Sequence, residues 1–268
     1  MKEPDRKAQQ KSYEWVYRTG AAAKRKIVVY DYKETREKKH PQSFLAGWKG
    51  YLHADGYQGY HDLGADIIVV GCWAHVRRKF EDAWKLKPEG KQKGSREEVA
   101  LRYINALFEL EKQFKDLTCD ERLEERLRQS KPIADTFNTW LDELNVLPQS
   151  KLGIAVTYAK NQREYLMNIF TDGGVEISNN RCERSVKPFV QGRKAWLFSN
   201  TPRGAETSSA MFTIAETAKE NGLNPFRYFN FLLEKLPNTT TSDNLEDLLP
   251  WSDSVKNLCA VGRLDDDY

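Results

Sequence analysis

Glu183 is the residue whose neighbours point most directly to chemistry. In Val175 to Phe198, V-E-I-S-N-N-R-C-E-R-S-V-K-P-F-V-Q-G-R-K-A-W-L-F, it sits among Arg181, Arg184, Lys187, Arg193 and Lys194, and no other acid occurs from Ser178 until Glu206. A carboxylate set among bases suits a site that holds a divalent cation and a polyanion together, the metal taking carboxylate oxygens and the bases taking phosphates. A structural role is also open. Ser178, Asn179 and Asn180 are helix-start residues, and Asn180 to Glu183 has N-cap to N3 spacing, so Glu183 could close a capping box and pair with Lys187 one turn on.

A second acid, Asp55, lies far upstream in G-Y-L-H-A-D-G-Y-Q-G-Y. Tyr51, Leu52 and Ala54 read as a short strand that ends at Asp55, with Gly56 as a turn residue. The carboxylate is then expected at the C-terminal end of a strand, where α/β folds place ligands. Asp-Gly by itself is also an ordinary turn signal.

These pieces, A-D-G-Y-x-G-Y, then G-C-W-A-H-V-R-R-K-F, then S-N-N-R-C-E-R-S-V-K-P with G-R-K-A-W-L-F, resemble transposases of the insertion sequence 66 family over nearly the whole chain. The resemblance implies a DDE-type catalytic domain on a ribonuclease-H-like fold, with Asp55 as the second acid and Glu183 as the third. It implies Mg2+ or Mn2+ as cofactor, since three acids far apart in sequence would hold two metals for in-line attack on a phosphodiester. It further implies DNA as partner, both transposon ends and target, and a homo-oligomer assembled on that DNA. Arg181, Arg184, Lys187, Arg193, Lys194 and Arg203 are the candidate phosphate contacts, each with a plain alternative as solvated surface.

The chain departs from the family pattern in one respect. The first catalytic Asp belongs to a D-E-T motif on the first strand, just before the segment that corresponds to Lys2-Glu3-Pro4. Asp5 lies in a polar lead-in and Asp31 at the end of the second strand, so neither takes that place. The expectation is a C-terminal portion of a transposase, lacking its first strand and inactive alone or completed by another polypeptide. The alternative is a non-catalytic DNA-binding remnant. A paired-acid glycoside hydrolase would account for the aromatics but not for the bases around Glu183.

Composition bounds these readings. A chain of 268 residues with 40% hydrophobic content supplies a sizeable core, and a net charge of only +3 leaves the basic character in patches, 24–39 and 181–194. No apolar run approaches membrane-spanning length, and the N-terminal residues do not read as a signal peptide, so the expected location is cytoplasmic. Cys72, Cys119, Cys182 and Cys259 lack framework spacing. Cys72 and His75 have metal-ligand spacing but no second pair, and read as structural residues at a helix start.

The elements that must position the two acids follow from periodicity. Strands are expected over 12–18 and 27–32 as an antiparallel hairpin, the second continuously apolar up to Asp31. A short helix over 41–48 carries Phe44, Leu45 and Trp48 on one face; the Asp55 strand follows, then a strand over 67–71 buried on both faces and a helix over 72–86. From Pro88 to Asp172 the pattern is helical, with 120–128 as a solvated helix face. Pro188 ends or kinks the Glu183 helix. A helix over 205–221 bears Met211, Ile214, Ala215 and Ala218, and the next buries Phe226, Phe229, Leu232, Leu233 and Leu236. Residues 239–243 are a linker and the remainder a weakly ordered tail. The fold class is therefore α/β, with residues 1–86 and 175–222 forming the catalytic domain, 87–174 an all-helical insertion and 223–268 a C-terminal helical element and tail.

Overall fold

A computed structural model describes residues 10–196, 199–239 and 242–261. Lys2-Glu3-Pro4, Asp5, Leu197, Phe198 and the acidic end Asp265 to Asp267 lie outside the described residues. In chain order the main elements are β1 (Tyr13–Arg18), β2 (Val28–Lys33), α1 (Lys39–Phe44), β3 (Gly50–Ala54), β4 (Ile67–Gly71) and α2 (Trp73–Lys85). Then follow α3 (Arg96–Gln113), α4 (Cys119–Glu125), α5 (Lys131–Glu143), α6 (Lys151–Met167), α7 (Asn180–Trp196), α8 (Pro202–Glu220), α9 (Pro225–Lys235) and α10 (Asp253–Cys259). The chain is mixed α/β and mainly helical, with two separate two-stranded sheets among the described residues. It divides into two compact units, one from residues up to Arg36 together with Cys182 onward, the other Glu37–Arg181. That division separates the β1–β2 hairpin from the strand that leads to Asp55.

In the first unit β1 and β2 pair antiparallel, from Tyr13 opposite Lys33 to Arg18 opposite Val28. β2 is not continuously buried: Val28, Tyr30 and Tyr32 face inward, and Val29, Asp31 and Lys33 are partly exposed. Period-2 pleating enforces this alternation even where the sequence reads as an apolar run. The outer edge of β2 is covered by α8. The Thr217 hydroxyl accepts from the Val28 N–H at 3.1 Å and donates to the Val28 carbonyl at 3.0 Å. The Thr213 hydroxyl accepts from the Tyr30 N–H at 2.9 Å.

The expected apolar stripe of α8 holds at Ala218, which is buried, and at Ile214, which packs beside it, but not at Met211. Met211 is 50% exposed, and the buried residues are Ala205, Ser209, Thr217 and Ala218. A strand edge needs donors and acceptors. Small hydroxyl side chains supply both and let the helix approach closely.

A second cluster in this unit gathers Ala218, Leu223, Tyr228, Leu232, Leu248, Val255 and Cys259. The segment expected to be a loose tail therefore contributes core: Tyr228 donates its hydroxyl to the Leu248 carbonyl at 2.8 Å. Gly222, at φ 72, turns the chain out of α8. The face expected to bury five residues of α9 and its end buries only Leu232 fully. Phe226, Leu233 and Leu236 are exposed, because Tyr228 and Leu232 one turn apart take the inward positions.

In the second unit β3 and β4 run parallel, Gly50 opposite Ile67 through Ala54 opposite Gly71. Only Val69, Val70 and Gly71 of β4 are buried; Ile68 is 40% exposed, so the strand is covered fully only where α6 packs against it. α1 ends at Phe44, and Phe44 and Trp48 are exposed, with the Trp48 ring close over Gly50. α2 buries Trp73, Val76 and Phe80 against Ile104, Leu107, Phe137, Leu141, Val156 and Leu166 of the helical block, and Ala83 is buried as well. The helical pattern expected from Pro88 onward thus forms one core with α2.

Candidate functional site

Asp55 follows the last residue of β3, half-buried. Its Oδ1 accepts the Tyr57 N–H at 3.1 Å, and its carbonyl accepts the Tyr158 hydroxyl of α6 at 2.8 Å. Gly56 has φ 84, and a Cβ there would lie 2.9 Å from both the Gln162 side chain and the Tyr158 hydroxyl. Only glycine meets both requirements. Burial, then the neighbouring Cys72 and Asp55, push the Tyr158 hydroxyl above its ordinary pKa, so it remains a donor. The Lys79 ammonium lies 4.7 Å from the centroid of the Tyr158 ring. α6 therefore holds the Asp55 turn through Tyr158 and Gln162, and Lys79 of α2 lies over the Tyr158 ring.

Glu183 lies in the first turn of α7, half-buried. α7 begins at Asn180, so Glu183 is its fourth residue. α7 is oriented in its unit by Cys182, Ser185 and Phe189. The Cys182 thiol donates to the Val16 carbonyl at 3.5 Å, and the Arg18 guanidinium donates to the Ser185 hydroxyl at 2.9 Å. The Tyr30 hydroxyl donates to the Ser185 carbonyl, and Phe189 packs on Tyr30 and Phe212 at centroid distances of 6.0 and 5.2 Å. With that face inward, Arg184, Lys187, Arg193 and Lys194 are exposed. Arg203 is exposed in the first turn of α8. Arg181 is half-buried and pairs with Glu176 at 3.6 Å, so its charge is partly compensated. Pro188 neither ends nor shortens the helix, which continues to Trp196.

The stretch 120–128 is largely solvated, as expected, with Asp120, Glu121, Glu124 and Arg128 exposed, but one residue departs from that pattern. Arg126 is 1% exposed and makes a two-pronged pair with Glu111, both contacts 2.7 Å. It also donates to the carbonyls of Ile169 at 3.3 Å, Asp172 at 3.1 Å and Val175 at 2.8 Å. Arg122 donates to the Gly173 carbonyl at 3.2 Å, and Gly173 packs so closely on the Cys119 carbonyl that a Cβ would lie 1.8 Å from it. Together they hold the loop that leads toward α7. A π-helical turn, Arg126–Ser130, begins at this arginine. Charge runs conceal such residues, because only the fold shows which arginine turns inward.

Cys72 is buried and accepts the Asn179 N–H at 3.4 Å, and the His75 N–H donates to the Cys72 carbonyl at 3.2 Å. Both lie at the start of α2. Nearby His53 is held neutral, its pKa lowered to about 4 by burial. Among the described residues no three His, Cys, Asp or Glu side chains converge closely enough to hold a metal ion. Asp55 stands in one unit and Glu183 in the other. The described side chains of either unit thus do not by themselves fit a complete divalent-metal centre.

Comparison with known proteins identifies the sequence class. A family model described as the transposase IS66 family matches residues 1–207, and one described as the IS66 C-terminal element matches residues 213–251. The uncharacterized protein y4qI of Sinorhizobium fredii is 31% identical over 237 residues, covering 84% of this chain and 43% of that protein. The uncharacterized protein y4hP of the same organism is 31% identical over 238 residues, covering 83% of this chain and 43% of its own length. The chain thus spans under half the length of these curated relatives. No solved structure matches.

Proposed function

The chain belongs to the IS66 transposase family, and from that premise we propose that it serves DNA transposition through a DDE-type domain of ribonuclease-H-like fold. The observation that carries this reading is the family match across residues 1–207, which contain both Asp55 and Glu183. Asp55 and Glu183 are the proposed catalytic carboxylates, and Mg2+ or Mn2+ is the proposed cofactor. Among the described residues neither acid belongs to a group of three His, Cys, Asp or Glu side chains close enough to hold an ion. The residues' own contributions are separate. Tyr158 and Gly56 hold the Asp55 turn, and the inward face of α7 fixes the direction of Glu183.

Arg184, Lys187, Arg193, Lys194 and Arg203, with Arg181 in a lesser part, are the proposed contacts to DNA phosphates. Exposed bases on α7, with Arg203 at the start of α8, attract the backbone without reading sequence. Assembly as a homo-oligomer on transposon ends, and completion by a further polypeptide, belong to the same proposal. The second reading is a DNA-binding protein without chemistry. It draws on the exposed bases of α7, which attract phosphates without any chemistry.

One experiment tests DNA binding and, separately, whether this chain alone carries chemistry. Purified chain is titrated onto labelled transposon-end DNA at several salt concentrations, then incubated with Mg2+ or Mn2+. Binding is expected to weaken steeply with salt, and Arg193→Ala with Lys194→Ala to reduce the slope by about 2, roughly 0.9 per phosphate contact. Binding without nicking is expected. Nicking that disappears in Asp55→Ala and in Glu183→Ala would show that another acid, such as Asp31, completes the set. An unchanged slope in the double variant would reduce the α7 patch to solvated surface.

A further inference from the structure

We propose that the groove between the α2–α3 loop and the start of α6 is a second contact surface for a DNA duplex backbone, carried by the helical region rather than by α7. The groove has a volume of ≈ 580 Å³ and is lined by Lys87, Lys91, Lys93, Arg96, Glu97 and Leu152, among others. From Lys85 to Arg96 the chain carries five cations, Lys85, Lys87, Lys91, Lys93 and Arg96, against one acid, Glu89. The single acid in the groove wall, Glu97, is 4% exposed and paired with Lys87 at 3.3 Å. Lys91, Lys93 and Arg96 are exposed, beside exposed Glu89 and half-buried Glu98, so the charge that faces solvent there is positive in excess.

The loop is built rather than slack. Gly90 and Gly94 adopt φ 83 and 73, and successive turns are closed by Lys91 N–H to the Pro88 carbonyl at 3.0 Å and Ser95 N–H to the Gln92 carbonyl at 3.1 Å. Arg96 is steadied by donating to the Asn145 carbonyl at 3.0 Å.

The details favour a duplex backbone over other anions. A small phosphate is best held by backbone N–H groups and a rigid fork. Here the Gly94 N–H is taken by Glu98, and the Ser95 hydroxyl accepts the Glu98 N–H as the cap of α3. What remains beside the Arg96 guanidinium, one arm of which is taken by the Asn145 carbonyl, are the lysine ammoniums, point charges on flexible stems, which suit a polymer that offers a phosphate charge every ≈ 1.7 Å along its axis. The groove has no aromatic lining on which bases of a single strand could stack.

This inference rests on the DNA-binding reading above, and the test keeps the two apart. The full 268-residue chain, its Lys91→Gln with Lys93→Gln variant and its Arg193→Ala with Lys194→Ala variant are titrated with a labelled duplex of random sequence between about 50 and 200 mM salt. The lysine pair is expected to weaken binding about tenfold and to reduce the salt slope by about 2. Circular dichroism should match the parent, since both side chains are exposed. If the lysine variant binds like the parent while the α7 variant weakens, the groove proposal falls and the DNA reading stands. If the parent shows no salt-dependent binding, the DNA reading fails, and this proposal with it.

Discussion

Single residues are set by what surrounds them more than by their type, and Glu14 shows this most clearly. It lies on β1 opposite Tyr32, and its Oε1 has no hydrogen-bond partner among the described residues. Burial raises its pKa from 4.5 to about 7; Ser209 and Lys33 oppose that rise and Asp31 adds to it. The folded state therefore holds a proton that the unfolded chain has released between about pH 4.5 and 7, so stability falls as pH rises through that window. Glu14→Gln should remove this dependence and stabilise the chain above pH 7 by roughly 1 kcal/mol, after allowance for partial exposure. Urea unfolding at acid and alkaline pH measures it. A variant whose stability falls with pH as steeply as the parent's would assign the dependence to another group.

Among the elements, the Arg126 hub fixes the return from the helical region. A buried arginine that pairs with Glu111 and three carbonyls leaves all four acceptors stranded when it is removed. Arg126→Ala should cost about 3–5 kcal/mol. Arg126→Met with Glu111→Leu should recover part of that loss, because two apolar side chains replace a buried charge pair. The two unfolding midpoints, read beside hydrogen exchange across residues 171–175, decide the matter. A loss below about 1 kcal/mol in the single variant would mean that the loop is held by Arg122 and packing instead.

For the whole molecule, the two units differ in how they are assembled from the chain. Glu37–Arg181 is continuous and owns the core around Trp73, Phe80, Ile104, Phe137 and Leu141. The other unit joins partners far apart in sequence, as in the bonds between Val28 and Thr217, 189 residues apart. Such separation makes closure entropically costly. The fragment 37–181 is therefore expected to fold alone with a cooperative thermal transition and a near-ultraviolet signal from its buried tryptophan. A broad, non-cooperative melt would show that its core depends on the flanking segments. Among the described residues no helix is long and apolar enough to cross a membrane.

The sequence by itself carried the family, through three ordered motifs, and with it the candidate acids Asp55 and Glu183. It also carried most elements, because pleat and helix periodicity are local properties: β1 begins one residue from its expected start, and α2 one residue inside its expected limits. Tertiary structure alone decided which polar residues face inward. Thr213 and Thr217 are ordinary helix residues until a strand edge needs their hydroxyls. Arg126 belongs to a charge run until the loop over Asp172 and Val175 closes on it. The burial of Leu248, Val255 and Cys259 likewise needed α9 as a surface. In each case the free energy comes from a partner distant in sequence, and a one-dimensional pattern has no record of that distance.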